Sequence, residues 1–122
     1  MDIEADALKH LVIDALEDLK GQKISVVDVR GKTAITDYMI IASGRSARQV
    51  IALAEKVILE AKKAGHPPMG VEGLKEGEWV LVDLCDVVVH VMQPDTRELY
   101  LLEKLWGGRD AEIDLPSRGS AP

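Results

Sequence analysis

Tyr38-Met39-Ile40-Ile41-Ala42-Ser43-Gly44-Arg45-Ser46 sets the architecture of this chain. Its first five residues form a near-continuous apolar run, the pattern of a strand buried on both faces. Ser43 to Ser46 breaks that run. Ser46 and Gln49 then have the spacing of a capping box, in which each side chain satisfies a free amide at a helix start. Val50, Leu53, Ala54, Val57, Ile58 and Ala61 continue at helical spacing and predict a helix to about Ala64. Gly65 ends it, and Pro67-Pro68 cannot extend it.

Upstream, Leu8, Leu11, Val12, Ala15, Leu16 and Leu19 mark one face of a helix over Glu4 to Lys20. Gly21 is its expected stop. Ile24 to Val29 is β-branched and predicts a strand. Arg30-Gly31-Lys32 makes a turn. Downstream, a short edge strand is expected around Gly70 to Glu72. Strands follow over Glu78 to Asp83 and Asp86 to Met92, with Leu84-Cys85 as a tight hairpin turn. A Cys in such a turn is chemically odd, because tight turns favour Gly or Asn at positive φ. Pro94-Asp95-Thr96 opens a last helix over about Arg97 to Trp106. The expected fold is an α/β sandwich with a mixed sheet of about five strands flanked by helices. Residues 1–106 would form a single domain, and residues 107–122, rich in Gly, Pro, Ser and charge, a disordered tail.

The chain of 122 residues has room for one core. Its 21 acidic and 15 basic residues give a net charge of −6. That balance argues against a broad phosphate-binding surface or sequence-specific nucleic-acid recognition. A protein partner with a basic surface is the easier match. Cys85 is the single cysteine, so an internal disulfide and a four-cysteine zinc site are excluded. No apolar run reaches the roughly 20 residues of a membrane span. Met1 to Asp6 lacks the basic start and apolar core of a signal peptide. A cytoplasmic location is expected.

Three patterns invite chemistry. The Ser43-Gly44-Arg45-Ser46 turn could hold a phosphate at a helix start, but it is too short for a dinucleotide or P-loop fingerprint and reads first as a cap. A metal-dependent nucleotidyl transferase needs paired carboxylates soon after such a turn. Here a helix follows, and Asp83 and Asp86 come much later, flanking the hairpin, where aspartates commonly fix turns. His66, Cys85 and His90 match no zinc spacing, and nothing in the sequence places Cys85 beside a histidine as a nucleophile pair. Neither a metal, a cofactor nor a catalytic residue is therefore assigned. The scarce aromatics say more. Trp79 and Leu81 share a strand face, and Tyr100 lies on the last helix. Each aromatic fits either a core edge or an interface anchor, whereas Trp106 reads as packing.

Four stretches together resemble the Iojap-like ribosomal silencing factor family. They are Thr36 to Gly44 with Ser46 and Arg48-Gln49-Val50; Gly70-Val71-Glu72-Gly73; Gly77 to Asp83; and Asp86 to Val91. Arg97 to Trp106 completes the match, which spans nearly all of residues 5 to 106. The resemblance implies a nucleotidyltransferase-like fold without the active site. It implies docking on the large ribosomal subunit through its protein uL-fourteen, steric exclusion of the small subunit, damped translation under nutrient limitation, and a homodimer when free. By motif position, Trp79, Leu81 and Tyr100 would contact the partner, with Thr36, Asp37 and Glu103 as further contacts. Asp83, Asp86 and His90 would be structural. The chain departs from the family pattern at Met39 and Met92, often Phe, and at Cys85, usually a turn glycine. The rival reading is a nucleotide-binding or nucleotidyl-transferring enzyme using the Gly44 turn.

Overall fold

The computed structural model describes residues 4–100, the side chain of Tyr100 excepted. Helix α1 (Ala5–Asp18) is followed by strands β1 (Gln22–Asp28) and β2 (Tyr38–Ser43), helix α2 (Ala47–Lys63), strands β3 (Gly70–Glu72), β4 (Trp79–Asp83) and β5 (Val87–Met92), and helix α3 (Pro94–Tyr100). The five strands form one mixed sheet in the order β1-β2-β5-β4-β3. Only β2 and β5 run parallel; β1 with β2, β4 with β5 and β3 with β4 are antiparallel. The parallel pair needs a long crossover, which α2 and the β3–β4 hairpin supply.

Strand alternation divides the apolar residues between two faces. Tyr38, Ile40, Ala42, Val80, Val82, Val87, Val89 and Val91 point toward α1 and α2. There they meet Leu8, Val12 and Leu16 from α1 and Val50, Leu53 and Val57 from α2, all fully buried. The opposite face carries a second cluster of Val27, Val29, Met39, Ile41 and Met92, with Trp79 packed against it. Every residue of β2 is buried, as its unbroken apolar run predicts.

Two local expectations change. Helix α1 ends in a Schellman motif, with Gly21 N–H donating to the Leu16 carbonyl and Lys20 N–H to that of Glu17. Lys20, not Gly21, takes the left-handed conformation, at φ 63°. Gly21 is required for space instead, since a Cβ there would lie 3.1 Å from the Leu16 carbonyl oxygen and 3.3 Å from Leu53. The hairpin turn also shifts. Leu84 is fully buried and belongs to the helix-side core, so it cannot sit at a turn tip. Its N–H donates to the Val87 carbonyl at 2.9 Å, leaving Cys85-Asp86 as the turn. This slides the β4–β5 pairing by two residues, to Asp83 opposite Val88 and Leu81 opposite His90, and keeps every side chain on its expected face.

Candidate docking face

Trp79 and Leu81 lie half-buried on the sheet face opposite α1 and α2. Trp79 is the first residue of β4, and the glycine-rich segment before it presses on its backbone. A Cβ on Gly73, at φ 87°, would fall 2.1 Å from the Trp79 carbonyl oxygen. Gly77 N–H closes the segment on the Gly73 carbonyl at 3.0 Å, and the Gln93 amide donates to the Gly77 carbonyl at 3.1 Å. The glycines thus let the β3–β4 connection close tightly enough to fix where β4 begins.

His90 lies between the two anchors. It pairs with Leu81 across the β4–β5 ladder, one step diagonal from Trp79. The Trp79 indole N–H donates to His90 Nδ1 at 2.9 Å, with ring centroids 5.8 Å apart. Burial holds the imidazole at a pKa of about 4, well below its ordinary 6.5, so the ring is neutral at pH 7, and the indole N–H directed at Nδ1 assigns its one proton to Nε2. The sequence alone does not reveal this bond. Its only trace is the hairpin register, which brings positions 79 and 90 onto one face.

The other candidate contacts lie elsewhere. Asp37 and Tyr38 N–H groups both donate to the Asp86 carbonyl, and the Asp37 carbonyl accepts from Val29. Buried Thr36 donates its hydroxyl to the Tyr38 carbonyl at 3.3 Å. Asp86 stands six positions before Met92, the partner of Trp79. At about 3.3 Å per residue, Asp37 is therefore roughly 20 Å along the sheet from Trp79. The side chain of Tyr100, all of Glu103 and Trp106, and the expected tail fall outside the described residues.

The patterns that suggested chemistry are engaged in structure. Ser46 Oγ accepts from Gln49 N–H at 3.2 Å. Gln49 Oε1 accepts from Arg45 N–H, one residue ahead of the expected cap amide, and its side-chain amide donates to the Leu19 and Lys20 carbonyls. Gln49 therefore ties the start of α2 to the end of α1. Asp83 Oδ1 accepts from Cys85 N–H at 2.8 Å, which fixes the turn. His66 Nε2 donates to the Leu84 carbonyl at 2.8 Å, beside Cys85 in the chain, while His90 is committed to Trp79. Among the described residues no three His, Cys, Asp or Glu side chains gather as a metal site, and no helix is long and apolar enough to cross a membrane.

The described residues form an α/β domain with one mixed five-stranded sheet, on one face of which Trp79 and Leu81 are partly exposed. The sequence model described as "ribosomal silencing factor during starvation" matches residues 2–121. A ribosomal silencing factor of Haemophilus influenzae is 51% identical over 100 residues, covering 82% of this chain and 98% of that protein. A Chromobacterium violaceum protein of known crystal structure superposes with a TM-score of 0.85 at 44% identity, covering 98% of both chains. A mouse protein named for mitochondrial assembly of the ribosomal large subunit is 34% identical, over 86% of this chain and 47% of its own length. The chain belongs to the ribosomal silencing factor family.

Proposed function

We propose that this chain docks through the Trp79–Leu81 face on the large ribosomal subunit, at its protein uL-fourteen, and blocks small-subunit joining by occlusion. The observation that carries the reading is the pairing of two partly exposed apolar anchors with a buried, neutral histidine on one sheet face. Trp is among the residue types enriched at interface hot spots. Family membership supports a ribosomal target, and the name of the mouse relative supports the large subunit. The net charge of −6 suits a basic ribosomal protein surface. Asp37 would then meet the rim of the same interface, since a patch of about 800 Å² per partner spans such a distance. Tyr100 and Glu103 on the last helix would add contacts, and Thr36 would act by supporting Asp37. Silencing of this kind needs no catalysis, and free chains would pair as homodimers in the cytoplasm.

The test is sedimentation of ribosomal subunits through sucrose with the purified protein. The wild-type chain should travel with free large subunits and deplete joined ribosomes. Trp79→Ala should weaken large-subunit binding by at least about 30-fold, as loss of a hot-spot residue does. Normal binding by that variant would remove this face from the mechanism.

A further inference from the structure

An indole N–H is a donor with no acceptor capacity. On a sheet face, the neighbouring main-chain carbonyls are committed to the ladder, so a Trp there must find its acceptor on a side chain or in water. In this chain the acceptor is a second ring, carried by the adjacent strand and itself 8% exposed. The arrangement is unusual because histidine accepts only when uncharged. Its sheet neighbours, Ile41 on β2, Leu81 on β4 and Met92 on its own strand, are apolar, and none offers a carboxylate that would favour the imidazolium.

We infer that His90 is a positioning residue for docking: by accepting the Trp79 indole N–H at Nδ1, it fixes the orientation in which Trp79 meets the partner. The inference rests on the Trp79–Leu81 docking reading. Packing against Met92 and its cluster holds the body of the ring, and without the acceptor the indole loses the one directional bond described for its N–H. The patch would then have to be ordered again at each binding event, and affinity falls when an anchor is ordered only on association. His90 makes that arrangement before the partner arrives. The same bond fixes the imidazole tautomer, with the proton on Nε2. The partner-facing chemistry is therefore a flat aromatic edge beside Leu81, which fits an apolar depression on a protein surface.

The experiment uses the full chain with ¹⁵N-labelled tryptophan and purified large subunits. The wild-type Trp79 indole N–H should exchange slowly with solvent, and Trp79→Phe identifies its signal. His90→Phe keeps the ring volume and removes the acceptor. It should lose indole protection and weaken large-subunit binding on the order of fivefold, the size of one uncharged hydrogen bond. His90→Asn places an amide oxygen near the former Nδ1 position and should restore both protection and affinity. In the background of Trp79→Phe, the His90→Phe change should no longer alter binding. A purely structural His90 would instead lower thermal stability in both backgrounds and leave the affinity of the folded fraction unchanged. If Trp79→Ala loses binding while His90→Phe binds as wild type, positioning is wrong and the docking face stands. If Trp79→Ala binds normally, both fall. Should the His90 variants fail to fold, rapid exchange of the wild-type indole N–H overturns the proposal by itself.

Discussion

Lowering the pH from 7 to 5 should destabilise this protein through His90 in particular. The folded-state pKa is pushed down to about 4 from 6.5, with burial as the cause. The folded chain therefore binds fewer protons than the unfolded chain across the interval between those values. The stability that comes from keeping His90 neutral is fully present above 6.5. It declines below 6.5 and is lost by the time the pH has fallen through about 4. At ~1.4 kcal/mol per pH unit, the full interval is worth on the order of 3 kcal/mol, and about 2 kcal/mol of it is gone by pH 5. Other titrating groups also contribute, so the measurement must be a difference. Urea unfolding of wild type and His90→Asn should be followed at pH 7, 6 and 5. The variant lacks the titration but retains an acceptor for Trp79. With a urea dependence of about 2 kcal/mol per molar, the midpoint gap between the two proteins should change by about 1 M in the variant's favour on going from pH 7 to 5. Parallel loss of stability in both proteins would refute the argument, because it would mean that His90 titrates as freely folded as unfolded.

Gly73→Ala should be severely destabilising, by about 3 kcal/mol or more, because it combines positive φ with a Cβ placed against the Trp79 carbonyl. Thermal melts and large-subunit binding should fail together. Cys85→Gly should stabilise the chain by about 1 kcal/mol, since φ 75° is strained for a residue with a Cβ; a chemical denaturation midpoint that falls would contradict the turn geometry. Ser46→Ala removes the cap acceptor for Gln49 N–H and should cost about 1 kcal/mol in the same assay, without changing ribosome binding.

Much of the fold is legible because periodicity records burial. The even positions of β2 and the odd positions of β5 face the helices, and the α2 stripe from Val50 to Ala61 falls at its expected spacing. Less legible are features set by exclusion of volume. Gly21 resembles a left-handed cap, yet it serves close packing against Leu53 while Lys20 takes the unfavourable φ. The hairpin turn follows the same logic. Asp86 N–H donates to the Leu84 carbonyl at 3.0 Å across Cys85, so the chain reverses in a γ-turn. Strand bounds of Glu78 to Asp83 and Asp86 to Met92 leave Leu84-Cys85 as the tip, but the burial of Leu84 overrides that placement. The Trp79–His90 bond is hidden for a related reason. It depends on a diagonal across two strands, and that diagonal exists only once the register is known.

The region where nucleotide chemistry would be sought has its backbone amides engaged within the domain. Open α/β sheets hold ligands beyond the carboxyl ends of their parallel strands, here the ends of β2 and β5. In this chain the backbone amides at that end are bonded internally, although an open pocket lined by Lys23, Ser43, Pro94 and Arg97 remains beside them. Gly44 N–H donates to the Met92 carbonyl, Arg45 N–H to Gln49 Oε1, and Gln49 N–H to Ser46 Oγ. The buried Arg97 guanidinium donates to Ser43 Oγ at 2.9 Å, tying α3 across the same opening. A Cβ on Gly44 would lie 2.9 Å from Val50 N, so the turn sits directly on the helix it starts. A phosphate entering there would have to displace hydrogen bonds that also fix α2 against α1. Leu81 and Trp79 are partly exposed, with Trp79 bonded to His90 and packed against the second cluster. A partner covering them removes apolar area from water while leaving the structural bonds of the domain in place. Strand parity thus gives the sheet two apolar clusters, and under the proposed function a partner would cover the partly exposed edge of the second one, at Trp79 and Leu81.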